Sequence, residues 1–399
     1  MLFNAKTIEK ELLQNRRYLH RNAETGFDLH KTRAFIIQEL KNIGFSPYEV
    51  GGSVVAIMDF AGTGNTILLR ADIDGLPIRE NSGLSFACKT GNMHACGHDM
   101  HAAMLLGAAR LLTAKKDKLR GKVKLLFQAA EEILQGAKAA VDKGVTKDVD
   151  AAVTMHVMTD SPFPVGTAVV AGGVSAPAAD FFTIKVKGKA CHGSAPQNGV
   201  DAISAAAHIL LGLHSLSARE LSVSNPAVLT VGEFIGGQAP NVIAEEVLLK
   251  GTLRAFDENV RTEVKKRLQE ISATIAKAYR AKAKTVFTSG CPTLVNDESL
   301  SNLAFRAAQS VMDKVYRSSA LVGGETAQKS GGSEDFAYIS HAVPSVMVAL
   351  AAGEREKGYN LPLHHTGVRF DENALGYGAA LYAQIAAAYL TGEKYEKGK

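Results

Sequence analysis

Apolar positions in the first part of the chain alternate between two spacings, a helical period near 3.6 and short continuous runs typical of buried strands. Residues 7–19 and 31–43 carry helical spacing, and the second stretch ends at Gly44. Residues 53–59 and 66–70 read as strands, with Gly62-Thr63-Gly64-Asn65 between them as a hairpin-type turn. Residues 96–115 open with closely spaced polar side chains. They continue through Met100, Ala103, Met104, Gly107, Ala108 and Leu111 as an apolar helical stripe. Residues 123–127 and 151–155 are further buried-strand runs. This alternation, which persists to about residue 178, predicts a layered α/β domain: a sheet flanked by helices.

Near Ala176-Pro177-Ala178-Ala179 the pattern changes. Residues 181–187 alternate cleanly, 200–215 read as a helix, and 227–234 and 247–256 alternate again. A long helix over 259–281 and a strand over 283–288 follow. Strand, helix, two strands, helix, strand is the order of a ferredoxin-like α+β sandwich. The expectation is therefore an inserted domain at 179–291 in a discontinuous domain formed by 1–178 and 292–399. The latter ends in an Ala-rich helix over 375–390.

Composition narrows the function classes. At 399 residues the chain exceeds one ordinary core, and 46% apolar with 21% charged residues is the profile of a soluble globular protein. The net charge of +5 is small, and the Lys and Arg of 115–124 and 261–284 are interleaved with acids as on solvated helix faces. That distribution argues against a nucleic-acid stripe. The start, Met1-Leu2-Phe3-Asn4-Ala5-Lys6, has no basic patch followed by a long apolar run, so no signal peptide or membrane anchor is expected. No apolar stretch approaches the roughly 18–20 residues of a bilayer span. Cys88, Cys96, Cys191 and Cys291 form no C-x-x-C pair, which argues against a disulfide scaffold or zinc knuckle and fits a reducing cytoplasm.

Five scattered motifs carry metal-binding or proton-transferring side chains: His94-Ala95-Cys96-Gly97-His98-Asp99, Glu131-Glu132, His156, His192 and His364-His365. Several follow strand-like runs. In open α/β sheets, side chains placed beyond the strands' carboxyl ends converge. In an extended segment Cys96 and His98 would project to one face, and a thiolate with an imidazole suits Zn²⁺ or another borderline ion. A buried Cys is often only a small hydrophobe, but packing gives no reason for His94, His98 and His101 to crowd one window. Glu131 and Glu132 follow the run 123–127, so one can bind metal while the other reaches water, although the pair standing alone reads better as solvated acids opening a helix. His156 follows 151–155, and one of His364 and His365 can close the site from the far end of the chain. G-x-S-x-G, P-loop, G-x-G-x-x-G and H-E-x-x-H signatures are missing, which leaves a dispersed metal site.

With those residues assembled, the chain resembles the metal-dependent aminoacylase and carboxypeptidase family. The likeness is to its amidohydrolase branch in particular, which contains hippurate hydrolase and the plant indole-acetyl-amino-acid hydrolases. The likeness runs through Arg70-Ala71-Asp72-Ile73-Asp74-Gly75-Leu76-Pro77, the 94–101 and 127–132 segments, Met155-His156-Val157, 188–201, 236–246, Gly332-Ser333-Glu334-Asp335-Phe336 and 363–372. The resemblance implies a two-metal site with ligands Cys96, His98, Glu132, His156 and His364. The metals would be two divalent ions per subunit, drawn from Zn²⁺, Mn²⁺, Co²⁺ and Ni²⁺. His364 is preferred to His365 because the family's His-Ser-Pro or His-Asn-Pro segment puts the ligand first, although Thr366 stands here for its proline. Glu131 resembles the general base, and Asp74 the carboxylate that orients a ligand imidazole. Residues 179–291 resemble a lid that also forms a homodimer contact. Within it His192 resembles the histidine that stabilises the oxyanion, although Ala190 and Cys191 replace the usual glycines. Asn241 resembles a substrate-contacting residue, and Arg254 is a candidate for the substrate carboxylate or for a surface ion pair.

The implied reaction is hydrolysis of the amide of an N-acyl-L-amino acid. Within the same chemistry the alternative is a metallocarboxypeptidase or dipeptidase on short or N-blocked peptides. A non-catalytic metal- or ligand-binding homologue would lack the base or a ligand, yet Glu131 and all five candidate ligands are present.

Overall fold

The computed structural model describes residues 3–60, 62–318 and 331–392. In chain order the elements begin with α1 (Glu9–Arg21), α2 (His30–Ile43), β1 (Tyr48–Val50), β2 (Ser53–Phe60), β3 (Thr66–Asp72), α3 (His98–Thr113), β4 (Gly121–Gln128), α4 (Gly136–Asp142), β5 (Ala151–Met158), β6 (Ala168–Ala171) and β7 (Gly173–Ala176). There follow β8 (Ala178–Lys187), β9 (Cys191–His192), α5 (Ala202–Arg219), β10 (Ala227–Gly236), β11 (Val242–Ile243), β12 (Glu246–Ala255), α6 (Glu258–Ala278) and β13 (Lys282–Cys291). The chain closes with β14 (Leu294–Asn296), α7 (Glu298–Val311), β15 (Val315–Ser318), α8 (Ala337–Ser340), β16 (Ser345–Ala351) and α9 (Ala374–Leu390). Two compact units result. The first comprises, among the described residues, 3–175, 294–318 and 334–392; the second comprises Ala176–Thr293 with Gly331–Ser333.

The first unit is built on an eight-stranded mixed sheet, ordered β1-β2-β4-β3-β5-β16-β6-β15. Strands β3, β4, β5 and β16 are mutually parallel, so the ends of β3, β4 and β5 share one edge of the sheet. Every residue of β3 and β16 is buried, as expected of strands covered on both faces. Helix α3 is apolar nearly all round and almost wholly buried, packed against α1, α9 and β3. Helix α9 spans 17 residues and belongs to the same core. Among the described residues no helix is long and apolar enough to cross a membrane.

One local expectation fails. The turn at 62–65 does not close a hairpin, because β4 lies between β2 and β3, antiparallel to the first and parallel to the second. A strand buried on both faces needs a partner on each edge, and β3 finds these in β4 and β5. Turn composition reports that the chain reverses, not which strand becomes the neighbour.

The second unit has the order β10-β12-β8-β13, all antiparallel, with α5 and α6 supplying one face of its core. With β8, β10, β12 and β13 as strands one to four, this is the ferredoxin-like arrangement expected. Phe182, Ile184 and Val186 of β8 meet Ala205 and Ile209 of α5 and Leu268 of α6. Asp201 and Asp257 cap the two helices by accepting backbone N–H groups of their first turns.

Candidate metal centre

The parallel strands aim four of the expected residues at one place. Asp74 follows β3, Glu131 and Glu132 follow β4, and His156 lies in β5. His156 is inside its strand and not beyond it: the ladder with β16 continues through His156↔Ala349 to Met158, so the run 151–155 underestimates the strand. Cys96 and His98 are not in an extended segment either. Gly97 is left-handed (φ 88°) and caps α3, with His98 as the first helical residue. A Cβ on Gly97 would lie 2.4 Å from Val157 Cγ2, so glycine is required by both space and conformation. The turn at Gly97, rather than a strand pleat, brings the two side chains together.

Cys96, His98 and His156 converge, as do Cys96, Glu132 and His364, and His98, Glu131 and Glu132; in each group the donor atoms lie within 4.8 Å of one another. Tautomers are set for ligation. His98 Nδ1 donates to the Asp74 carbonyl at 2.8 Å, and His156 Nδ1 donates to the Val157 carbonyl at 2.8 Å, so both present Nε2 lone pairs to the cluster. His156 Nε2 stands 3.4 Å from Cys96 Sγ, and His364 Nε2 3.5 Å from Glu132 Oε2. His98 Nε2 and Glu132 Oε1 are buried without a hydrogen-bond partner among the described residues, 3.9 Å apart. That spacing is too long for a hydrogen bond. It is near the roughly 3.4 Å expected between two ligands of a tetrahedral cation about 2.0–2.1 Å from each, so the donor set fits a metal.

His364 is left-handed (φ 66°), and its N–H donates to the Ala95 carbonyl at 2.9 Å, which ties its loop to the Cys96 segment. His365 Nδ1 instead accepts from Gly367 N. Of the three histidines at 94, 98 and 101, only His98 offers a free lone pair to this cluster. His101 spends Nε2 on Val157 N–H and Nδ1 on Asp72 Oδ1 at 2.5 Å. His94 is buried with neither ring nitrogen hydrogen-bonded among the described residues, and burial pushes its pKa down to about 4.

Asp74 accepts the N–H groups of Glu131 (3.1 Å) and Glu132 (3.2 Å), besides presenting its carbonyl to His98. Electrostatics differentiates the two glutamates' surroundings. Burial, then the carboxylates Glu334, Asp335 and Glu132, hold Glu131 well above the ordinary carboxyl range, which moves its proton affinity toward that of a useful base. Burial raises Glu132 to about 7 against the pull of His98. Burial and then His101 push His156 down to about 3, so it is a neutral donor.

His192, Asn241 and Arg254 belong to the second unit. His192 is exposed, and its Nδ1 accepts from Ser194 N at 3.1 Å, which leaves the proton on Nε2 as an outward donor. Pairing of β9 with β11 puts His192 opposite Val242, and the Asn241 carbonyl accepts Gly193 N–H at 2.8 Å, so His192 and Asn241 share one small hairpin-like site. Arg254 lies over the Phe181 ring at 5.6 Å and makes no ion pair among the described residues.

Sequence reasoning assigned no role to the buried charges behind the cluster. Arg70, fully buried, donates to Asp72, Glu334, Asp335 and Gln128. A detectable signal existed: a guanidinium inside the apolar strand 66–70 demands buried acceptors. His20 carried no such signal. Its Nδ1 bonds Asp99 Oδ2 at 2.9 Å and its Nε2 bonds Glu80 Oε1 at 3.0 Å, with Arg16 on the same Asp99 oxygen.

This second network has a pH signature. Burial opposes the charge on His20, yet Asp99 and Glu80 raise its pKa from 6.5 to about 9. A folded-state pKa above the unfolded value contributes stability below pH 6.5 that is lost as pH rises through about 9. With 1.36 kcal/mol per unit, the loss is of order 3 kcal/mol. Denaturant unfolding of chelated protein at pH 6 and pH 9.5 should show this loss, reduced in His20→Gln; equal pH slopes in both proteins would reject the assignment.

Fold and site together present a layered α/β domain with clustered side chains of metal-ligating type and an adjacent buried carboxyl. The chain belongs to Peptidase family M20/M25/M40, whose model matches residues 68–388. It is 37% identical over 376 residues to N-acetyl-L-cysteine deacetylase of Bacillus subtilis, covering 93% of this chain and 86% of the relative. It is 35% identical over 394 residues to IAA-amino acid hydrolase ILR1-like 2 of Arabidopsis thaliana, covering 97% and 87%. A Bacillus subtilis protein described as a dinuclear metal binding peptidase of the M20 family superposes with a TM-score of 0.79 at 31% identity, covering 97% of this chain and 99% of that one. The resemblance read from the motifs is thus the family itself, and the chain is a metal-dependent amidohydrolase by membership.

Proposed function

We propose that the protein hydrolyses the amide bond of N-acyl-L-amino acids with two divalent metal ions per subunit. The observation that carries this reading is the meeting of Cys96, His98, Glu132, His156 and His364 with Glu131 beside them. When bound, the cations supply Lewis acidity and acidify water. Glu131 takes a proton from the attacking water on a carboxylate oxygen and returns it to the leaving amine nitrogen. Asp74 keeps the two glutamates and His98 in place. His192 donates from Nε2 to the carbonyl oxygen as negative charge develops there, Asn241 contacts substrate, and Arg254 takes the substrate carboxylate.

Residues 179–291 act in this proposal as a lid and as the contact of a homodimer, with hinges near 176–180 and 289–292. The edge strand β10, which exposes Val228 and Ile235, supports the dimer. Four free cysteines favour a cytoplasmic setting. Zn²⁺, Mn²⁺, Co²⁺ and Ni²⁺ are all compatible with a thiol, imidazoles and carboxylates.

A panel of N-acetyl and N-benzoyl amino acids and dipeptides, assayed with Zn²⁺, Mn²⁺ and Co²⁺ after chelation, tests the reading. N-acyl amino acids should give the higher kcat/KM. Preference for dipeptides would instead establish a carboxypeptidase or dipeptidase, the reading favoured by the peptidase description of the structural neighbour. In the same assay His192→Ala should lower kcat about a hundredfold with metal retained, and a variant as fast as the parent would reject the oxyanion role.

A further inference from the structure

The segment Gly332-Ser333-Glu334-Asp335-Phe336 and Arg70 have no part in the proposed chemistry, yet Arg70, Glu334 and Asp335 are buried directly behind it. The turn between β4 and α4 carries Glu131 and Glu132 and is conformationally costly. Ala130 (φ 57°) and Leu134 (φ 54°) are left-handed without being glycine, and such residues persist only where surroundings over-determine them. At the end of the turn a Cβ on Gly136 would fall 1.6 Å from the Ala129 carbonyl oxygen, so the turn folds back tightly on its own start.

Asp335 joins the two ends of this turn. Its Oδ1 accepts from Gln128 Nε2 at 2.7 Å, at the close of β4, and its Oδ2 accepts from Ala137 N at 2.8 Å, in the first turn of α4. Between them its own backbone N–H points to Glu131 Oε1 at 3.4 Å. Arg70 fixes Asp335 in turn, through Nη2 at 3.0 Å, and also holds Gln128 Oε1 through Nε at 2.9 Å and Glu334 at 2.9 Å. The carboxylates of Glu131, Glu334 and Asp335 lie close enough to suggest another cation site, but the Arg70 guanidinium already supplies the positive charge to two of them. Net stabilisation is a weak reason to bury such a network, since replacing buried ion pairs by apolar groups is often neutral or better.

We infer that Asp335, held by Arg70, is a positioning residue: it clamps the two ends of the strained turn, whose middle Asp74 holds by the Glu131 and Glu132 N–H groups, and so fixes where the Glu131 carboxylate stands. The inference rests on the assignment of Glu131 as base. Asp335→Asn keeps the shape but replaces one acceptor oxygen by a donor, so it cannot accept at both ends of the turn. The holoenzyme variant should lose about tenfold to a hundredfold in kcat, with KM within about threefold of the parent and metal content unchanged, because misplacement near 1 Å is enough for such a loss.

A double-mutant cycle separates positioning from mere structural support. In a Glu131→Gln background, Asp335→Asn should cost less than about threefold more in kcat. The same loss in both backgrounds, a loss carried by KM, or parental kcat in Asp335→Asn overturns the inference alone. Glu131→Gln with parental turnover overturns the base assignment and the inference with it. Should Asp335→Asn fail to fold, Arg70→Lys, which keeps the cation and loses the fork, is measured in the same cycle with the same expectations.

Discussion

Glu131→Gln is expected to lower kcat about a thousandfold while metal content and fold stay parental. Glutamine preserves the shape of the side chain and can still accept the Asp335 N–H through its amide oxygen. It cannot take up a proton. The Glu131 carboxylate stands 4.0 Å from His98 Nε2 and is only 6% exposed, so no bulk buffer replaces it easily. The distinguishing pair of measurements is steady-state turnover together with metal analysis. Lost metal with lost turnover would make Glu131 a ligand, and parental turnover would remove it from the chemistry altogether.

The second large effect is on metal retention. Cys96 is shared by two of the ligand groups, and its thiol is pushed far up by burial when no cation faces it, so ligation must displace a proton. Cys96→Ser keeps nearly the same volume but exchanges a soft thiolate for a hydroxyl that is far harder to ionise. Dialysed variant protein should therefore retain much less metal than the parent, with affinity weakened at least about tenfold and activity restored only by excess ion. Chelation of the parent should abolish activity, and readdition of Zn²⁺, Mn²⁺ or Co²⁺ should recover it. Parental occupancy in Cys96→Ser would take this residue off the ligand set.

The two networks described behind the site have different consequences. The His20–Asp99–Arg16 cluster sits under the first turn of α3 and is expected to show itself in stability against pH. The Arg70–Asp335 cluster sits under the turn of Glu131 and is expected to show itself in kcat. Both are buried charges, and of the two only Arg70 is marked in the sequence, by standing in the apolar run 66–70.

How far the sequence could be read differs by residue. The α/β alternation, the ferredoxin-like order of 181–288 and helices α1, α2, α3, α5, α6 and α9 were legible because apolar spacing is a local property, whereas α4, α7 and α8 were not singled out. Helix α2 ends at Gly44 with a left-handed cap, as its glycine implied. The chemistry-bearing motifs were legible as residue types. Their partners were not: which nitrogen of His98 faces the cluster depends on the Asp74 carbonyl 24 positions away, and the approach of His364 to Glu132 accompanies a backbone bond to the Ala95 carbonyl.

Local spacing and residue type already specify the layered domain, the ferredoxin-like order that interrupts it and the inventory of thiol, imidazole and carboxylate groups. The folded chain was needed to learn that β4 enters between β2 and β3, that Gly97 turns Cys96 and His98 together where an extended segment was expected, and that Arg70 meets Asp335 across 265 positions. The physical reason is the range of the forces involved. Periodic burial acts over one turn or one pleat, whereas strand order and the pairing of buried charges are settled by which distant groups can satisfy one another once water is excluded.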